Sequence, residues 1–200
     1  MTYVKLFRPS LVAFLLIVFV CSCSPHRPFK SAALSIKASG WMDRYGIETE
    51  EDLAKASSIP KLTNAIEDEN ELVRLNALKY LTQFGSEASS AIPQLKLSSV
   101  TDRSNRVRLN SLLALTKIAG PENENSLYAY DITLSDKSRS SRKLRQGLVN
   151  MLGREDHLGP RVINLLKEHY KTEPFAYPKK TMLEIVLRYE ISEQLKEDSP

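Results

Sequence analysis

The 200-residue chain has two cysteines, Cys21 and Cys23, and no sulfhydryl after them. The body of the protein therefore has no disulfide, no thiolate nucleophile and no sulfur-ligated metal. Its three histidines, His26, His157 and His169, make no His-x-x-x-His and no Glu-x-x-His spacing, so a zinc-type site has nothing to rest on. Seven glycines include no Gly-rich phosphate-binding loop, and no Gly-x-Ser-x-Gly elbow presents a serine nucleophile. The expectation is a protein with no catalytic constellation, no metal and no cofactor. Tryptophan occurs once; Trp41, beside Met42 and Tyr45, reads as a packing residue rather than a stacking platform. An excess of one charge is also missing. The 28 basic and 24 acidic residues give +4, and Lys5 and Arg8 of the leading segment contribute two of those charges. Basicity is thus a weak argument for a nucleic-acid partner.

Long hydrophobic runs are scarce as well, with one at residues 11–20. It follows Lys5 and Arg8 and leads into Cys21-Ser22-Cys23-Ser24-Pro25, the order of a secretory signal. A helix of about 10–13 residues rises roughly 15–20 Å, short of the ~30 Å of a bilayer core. Val20-Cys21-Ser22-Cys23 resembles the bacterial lipobox, with Cys21 at a middle position where that motif has mostly small residues. The resemblance implies cleavage after residue 22 and lipidation of Cys23. It also implies a second acyl chain, and two chains hold a protein on a membrane where one does so marginally. Ser24 carries no acidic retention signal, so the resemblance places the protein at the outer membrane, facing the periplasm.

What is present is a repeat. Val-Arg-Leu-Asn-Ala-Leu-Lys-Tyr-Leu at 73–81 returns as Val-Arg-Leu-Asn-Ser-Leu-Leu-Ala-Leu at 107–115, 34 residues on. A period of this length is that of one helical hairpin used repeatedly. Helical spacing predicts helices at 59–67 and 73–84 in a first unit, and at 91–100 and 107–118 in a second. Gly85 and Gly120-Pro121 mark their ends. Thr49 with Glu50, Glu51 and Asp52 reads as a capped helix start. Asp68 and Asp102 precede Arg74 and Arg108 by six residues each. Pro in the first helix, Asp in the turn, Val-Arg opening the second helix and Ile-Gly closing it closely resemble HEAT-type repeats, over residues 59–120. The resemblance implies an all-α fold, a right-handed α-solenoid of about four stacked hairpins, behind a cleaved signal segment and a short tether.

The third unit is less regular. Asp136 and Arg142 continue the 34-residue step, but Leu144-Arg145 also matches Val-Arg slipped by three residues, which suits a turn lengthened by the Ser138–Ser141 insert. A fourth pair is expected at 161–170 and 180–191, joined by a loop containing Pro174 and Pro178, with a polar, frayed end from 192. The divisions are a signal peptide at 1–22, lipidated Cys, tether and capping segment at 23–46, solenoid at 47–195 and a tail at 196–200. The capping segment has potential helices at 32–38 and 41–45.

Two groups of side chains stand out. Asp68, Arg74, Asp102, Arg108, Asp136 and Arg142 read as a structural ladder, in which each Asp accepts from amides at the next helix start and pairs with an Arg. Lys137, Arg139, Lys143 and Arg145, clustered with Arg142, form a basic patch where a helix N-terminus does not favour cations. Its candidate ligands are lipid headgroups, an acidic cell-wall polymer or an acidic protein face. The leading reading is a monomeric, membrane-anchored adaptor that binds an unidentified protein. The alternatives are an accessory or lyase- or chaperone-type protein, as some short HEAT-like repeats are, and a HEAT-like nucleic-acid binder.

Overall fold

The computed structural model describes residues 40–197, all-helical with no strand among them. The α-helices are α1 (Trp41–Arg44), α2 (Ile59–Ala65), α3 (Glu71–Phe84), α4 (Ile92–Thr101), α5 (Asn105–Ala119), α6 (Glu124–Ser135), α7 (Arg142–Leu152), α8 (Pro160–Thr172) and α9 (Ala176–Glu197). The expected signal segment, Cys21, Cys23 and the expected helix at 32–38 lie outside the described residues.

Local chemistry sets the boundaries. Pro60, Pro93 and Pro160 stand in the first turns of α2, α4 and α8, where a missing N–H costs nothing. Asn70, Ser104 and Asn123 cap α3, α5 and α6 by accepting from the amides of Leu72, Val107 and Asn125. Gly85 and Gly120 end α3 and α5 at φ +54° and +91°, a backbone that L side chains rarely adopt.

Several boundaries differ from the expectation. Thr49 and Asp52 do bond reciprocally, Thr49 N to Oδ2 at 3.1 Å and Asp52 N to Thr49 Oγ1 at 3.2 Å, but they open a 3-10 turn, Asp52–Ala54. The linker after α3 is 3-10 helical as well, Gly85–Ala91. Pro178 is not a loop residue; it is buried in the first turn of α9. That helix runs on to Glu197, past the frayed end expected from 192, with Lys196–Glu193 and Lys167–Glu190 pairs along its last turns.

The helices of each pair pack together, α2 with α3, α4 with α5, α6 with α7 and α8 with α9, as does α5 with α6; α3 with α5, α5 with α7 and α7 with α9 pack two places apart, as do α4 with α6 and α6 with α8. The second helices thus touch one another along the row, and so do the first helices from α4 onward, while α2 meets the 3-10 linker Gly85–Ala91. Between them a single apolar cluster extends from Trp41 and Ile47 to Ile185 and Val186. Trp41 is fully buried, edge-on to Tyr45, so α1 closes the first end of the core. Small residues let α4 and α5 approach closely, with Ser98 and Ser111 hydroxyls 2.9 Å apart in the interior.

Candidate functional site

The acid at each hairpin turn does the same local work. Asp68 Oδ1 accepts from Asn70 N, Asp102 Oδ1 from Ser104 N, and Asp136 Oδ1 from Ser138 N, at 2.7, 2.7 and 3.0 Å. Each carboxylate thereby fixes the turn that precedes a second helix. Asp68 also accepts from Tyr45 Oη at 3.0 Å and pairs with Arg44 at 3.1 Å, tying α1 to the first turn.

Arg74 then bridges two units. Its Nε and Nη2 hold both oxygens of Asp102, at 2.8 and 3.0 Å, while Nη1 donates to the carbonyls of Asp68 and Glu69 in its own turn. Both side chains are almost wholly buried. The bidentate geometry of guanidinium and carboxylate fixes an orientation, which a Lys could not do.

The same device recurs with different residues further on. Arg145 Nε and Nη2 hold Glu173 at 2.9 and 3.2 Å, and Nη1 donates to the carbonyls of Asp136 and Ser138. Arg74–Asp102 and Arg145–Glu173 share a separation of 28 residues. Glu173 even repeats the turn bond, accepting from Phe175 N at 3.2 Å. Two expectations are therefore corrected. Arg145, fully buried, is the bridging arginine of the third unit and does not belong to an exposed patch. Arg142, placed in the ladder by the 34-residue step, is exposed, with its guanidinium 5.5 Å over the Phe175 ring. The cause is the lengthened turn at Ser138–Ser141, which moves the Val-Arg equivalent on by three residues. Glu173 was missed altogether; the 28-residue spacing from Arg145 is the signal that could have found it.

The junction between the second and third units is built otherwise. Arg108 and Asp136 stand 28 residues apart but do not pair. Arg108 Nε donates to Ser99 O at 3.2 Å, and Asp136 Oδ2 is taken by the Ser141 hydroxyl. The Ser141 and Ser138 hydrogen bonds hold the Asp136 carboxyl down at about 2. The added serines replace the arginine.

Of the basic patch, Arg139 and Lys143 are exposed and enter no ion pair among the described residues. Lys137 is half-buried, 3.8 Å from Glu173 and 3.4 Å from His169 Nδ1, and desolvation pushes its ammonium below the usual lysine range. Beside the exposed cations, Arg142, Lys143, Gln146, Phe175, Tyr177 and Pro178 line a shallow depression between the starts of α7 and α9. No group of three His, Cys, Asp or Glu side chains that could hold a metal occurs among the described residues, and none of their helices is long and apolar enough to cross a membrane.

No known family, no characterised protein and no solved structure matches this chain.

Proposed function

We propose that the protein is a lipid-anchored adaptor of the bacterial envelope whose helix pairs form a right-handed, HEAT-like solenoid that binds another protein. The observation that carries this reading is the recurrence of one hairpin with one inter-unit clamp, Arg74 on Asp102 and Arg145 on Glu173. A scaffold of that construction presents a continuous row of second helices, suited to an elongated partner. Arg74 with Asp102 and Arg145 with Glu173 are consumed in holding the units together, so the chemistry on offer is that of a surface and not of a reaction centre. The signal order and the lipobox resemblance at 20–23 support anchoring, through Cys23, at the outer membrane.

Two experiments test it. Metabolic labelling with a palmitate analogue is expected to mark the wild type and fail in Cys23→Ser; labelling lost in Cys21→Ser instead would move the cleavage site, and a wild type that takes up no label would remove the anchor from the reading. Crosslinking in intact cells followed by detergent extraction is expected to retain a discrete protein partner. Hydrolysis or transfer activity abolished by an exposed side-chain change would favour an enzyme instead.

A further inference from the structure

Burial sets the four second helices in one register. Arg74, Ala77, Leu78 and Leu81 of α3 correspond to Arg108, Ser111, Leu112 and Leu115 of α5, and these to Arg145, Leu148, Val149 and Leu152 of α7. In α9 the same places are filled by Met182, Ile185, Val186 and Tyr189, so the steps are 34, 37 and 37 residues. The register aligns two adjacent positions near the start of each helix: Glu71-Leu72, Asn105-Arg106, Arg142-Lys143 and Lys179-Lys180. Charge therefore rises along one edge, from acidic at α3 to one cation at α5 and two each at α7 and α9. All five cations are exposed or partly exposed. Arg106 and Lys143 enter no ion pair among the described residues, and Lys180 reaches only the exposed Glu184, at 3.6 Å. Arg142 and Lys179 are held over the rings of Phe175 and Tyr170, at 5.5 and 5.1 Å, which orders them without neutralising them.

Side-chain amides lie further along the same helices. Asn110, Gln146 and Asn150 are partly exposed, and Gln146 Nε2 donates to Asn150 Oδ1 at 2.7 Å. Gln146 lines the depression beside Arg142 and Lys143, and its buried Oε1 has no donor among the described residues.

We propose that this strip across α5, α7 and α9 receives an extended acidic segment of the partner protein. The inference rests on the adaptor reading above and names the chemistry of what the adaptor holds. Packed helices lie about 8–10 Å apart, and an extended chain advances about 3.3 Å per residue. Acidic side chains at every third position therefore meet successive cation positions, while the partly exposed amides of Asn110 and Asn150 lie beside the peptide backbone. Glu67, Glu69 and Glu71 at the α3 end of the same edge repel a broad anionic sheet such as a bilayer; a segment of finite length can stop at Arg106.

The test uses the full chain in neutral detergent and a fluorescein-labelled 12-residue peptide with Glu at every third position, read by anisotropy. Binding is expected to weaken with added salt and to fall at least tenfold in the variant R106E/K143E/K180E, whose circular dichroism and urea midpoint stay near wild type. Lys79→Glu, an exposed charge reversal on α3, is expected to leave affinity unchanged. A peptide of the same composition with its acids in one block is expected to bind more weakly. Equal binding by the triple variant, equal binding of the two peptides, or displacement of the peptide by an equally charged oligonucleotide or by micelles doped with phosphatidylglycerol would each overturn the assignment. Crosslinking separates this from the adaptor reading. A triple variant that still captures the wild-type partner removes the strip and leaves the adaptor; a wild type that captures no protein removes both.

Discussion

The fully buried Arg145–Glu173 pair is the residue on which most depends. An ion pair removed from water gains little over apolar residues of equal volume, yet leaving one member alone is costly. Glu173→Ala is expected to cost about 3–5 kcal/mol, whereas the double change R145M/E173L should recover most of that loss, both read from urea denaturation midpoints. A recovery absent from the double change would mean that the carbonyls of Asp136 and Ser138, which Arg145 also serves, dominate the site. Asp136 makes the pH dependence testable. Its carboxyl is held at about 2 by the Ser141 and Ser138 bonds, below the ordinary ~3.9 of an unfolded aspartate. A depressed folded value stabilises fully above the unfolded value and is lost as pH falls through the folded one. Stability should thus decline between about pH 4 and 2 with a contribution from this residue, and Asp136→Asn should flatten that part of a midpoint-against-pH curve.

At the scale of elements, α8 shows how a helix start can be completed from elsewhere in the chain. It has no side-chain cap of its own; Glu122, from the turn between α5 and α6, accepts from the amides of Val162 and Arg161 at 3.0 and 3.3 Å. A carboxylate there both satisfies amides and suits the positive end of the helix. Glu122→Ala is expected to cost about 1 kcal/mol. Gly159→Ala should cost no more than that, because its Cβ, 2.4 Å from the Glu122 carboxyl carbon, meets the flexible end of that side chain and at worst displaces the cap; thermal melts check both. No local reading of the sequence could find this cap, since its two halves are about forty residues apart. By contrast α3 and α5 were legible almost to the residue, because a near-identical nine-residue segment repeats within them. The second helix of the third unit was legible only as a choice of register, between Arg142 and Arg145, and burial of Arg145 makes that choice. Glu173 was hidden because a longer acid takes the role that aspartate has in the earlier turns. The tail at 192–197 read as frayed from its polarity, but side-chain pairs along α9 keep it helical.

Across the whole molecule the all-α class was readable from periodicity, and one continuous core from Trp41 to Val186 spans every helix pair. Leu78 and Leu112 sit at matching, fully buried places in it. Leu78→Asp or Leu112→Asp is expected to cost more than about 3 kcal/mol, through a lost apolar contact and a charge with no partner. Glu69→Ala, at an exposed position, should change stability by less than about 0.5 kcal/mol. The full chain should show a far-ultraviolet spectrum dominated by helix before and after that exposed change. The clamps themselves are unevenly spaced: Arg44 and Arg74 secure the first two junctions, Arg145 the last, and the middle junction has serine hydroxyls where an arginine fork would be. In mechanical terms, buried forks on either side and none between them predict a middle junction softer than the two blocks it joins. Between α5 and α7 the junction is held by Leu109 packed over Gly147 and by the partly exposed Lys117–Glu155 pair at 2.8 Å, not by a buried guanidinium fork. The expected consequence is that bending alters the angle between α5 and α7 first, while each block keeps its own geometry.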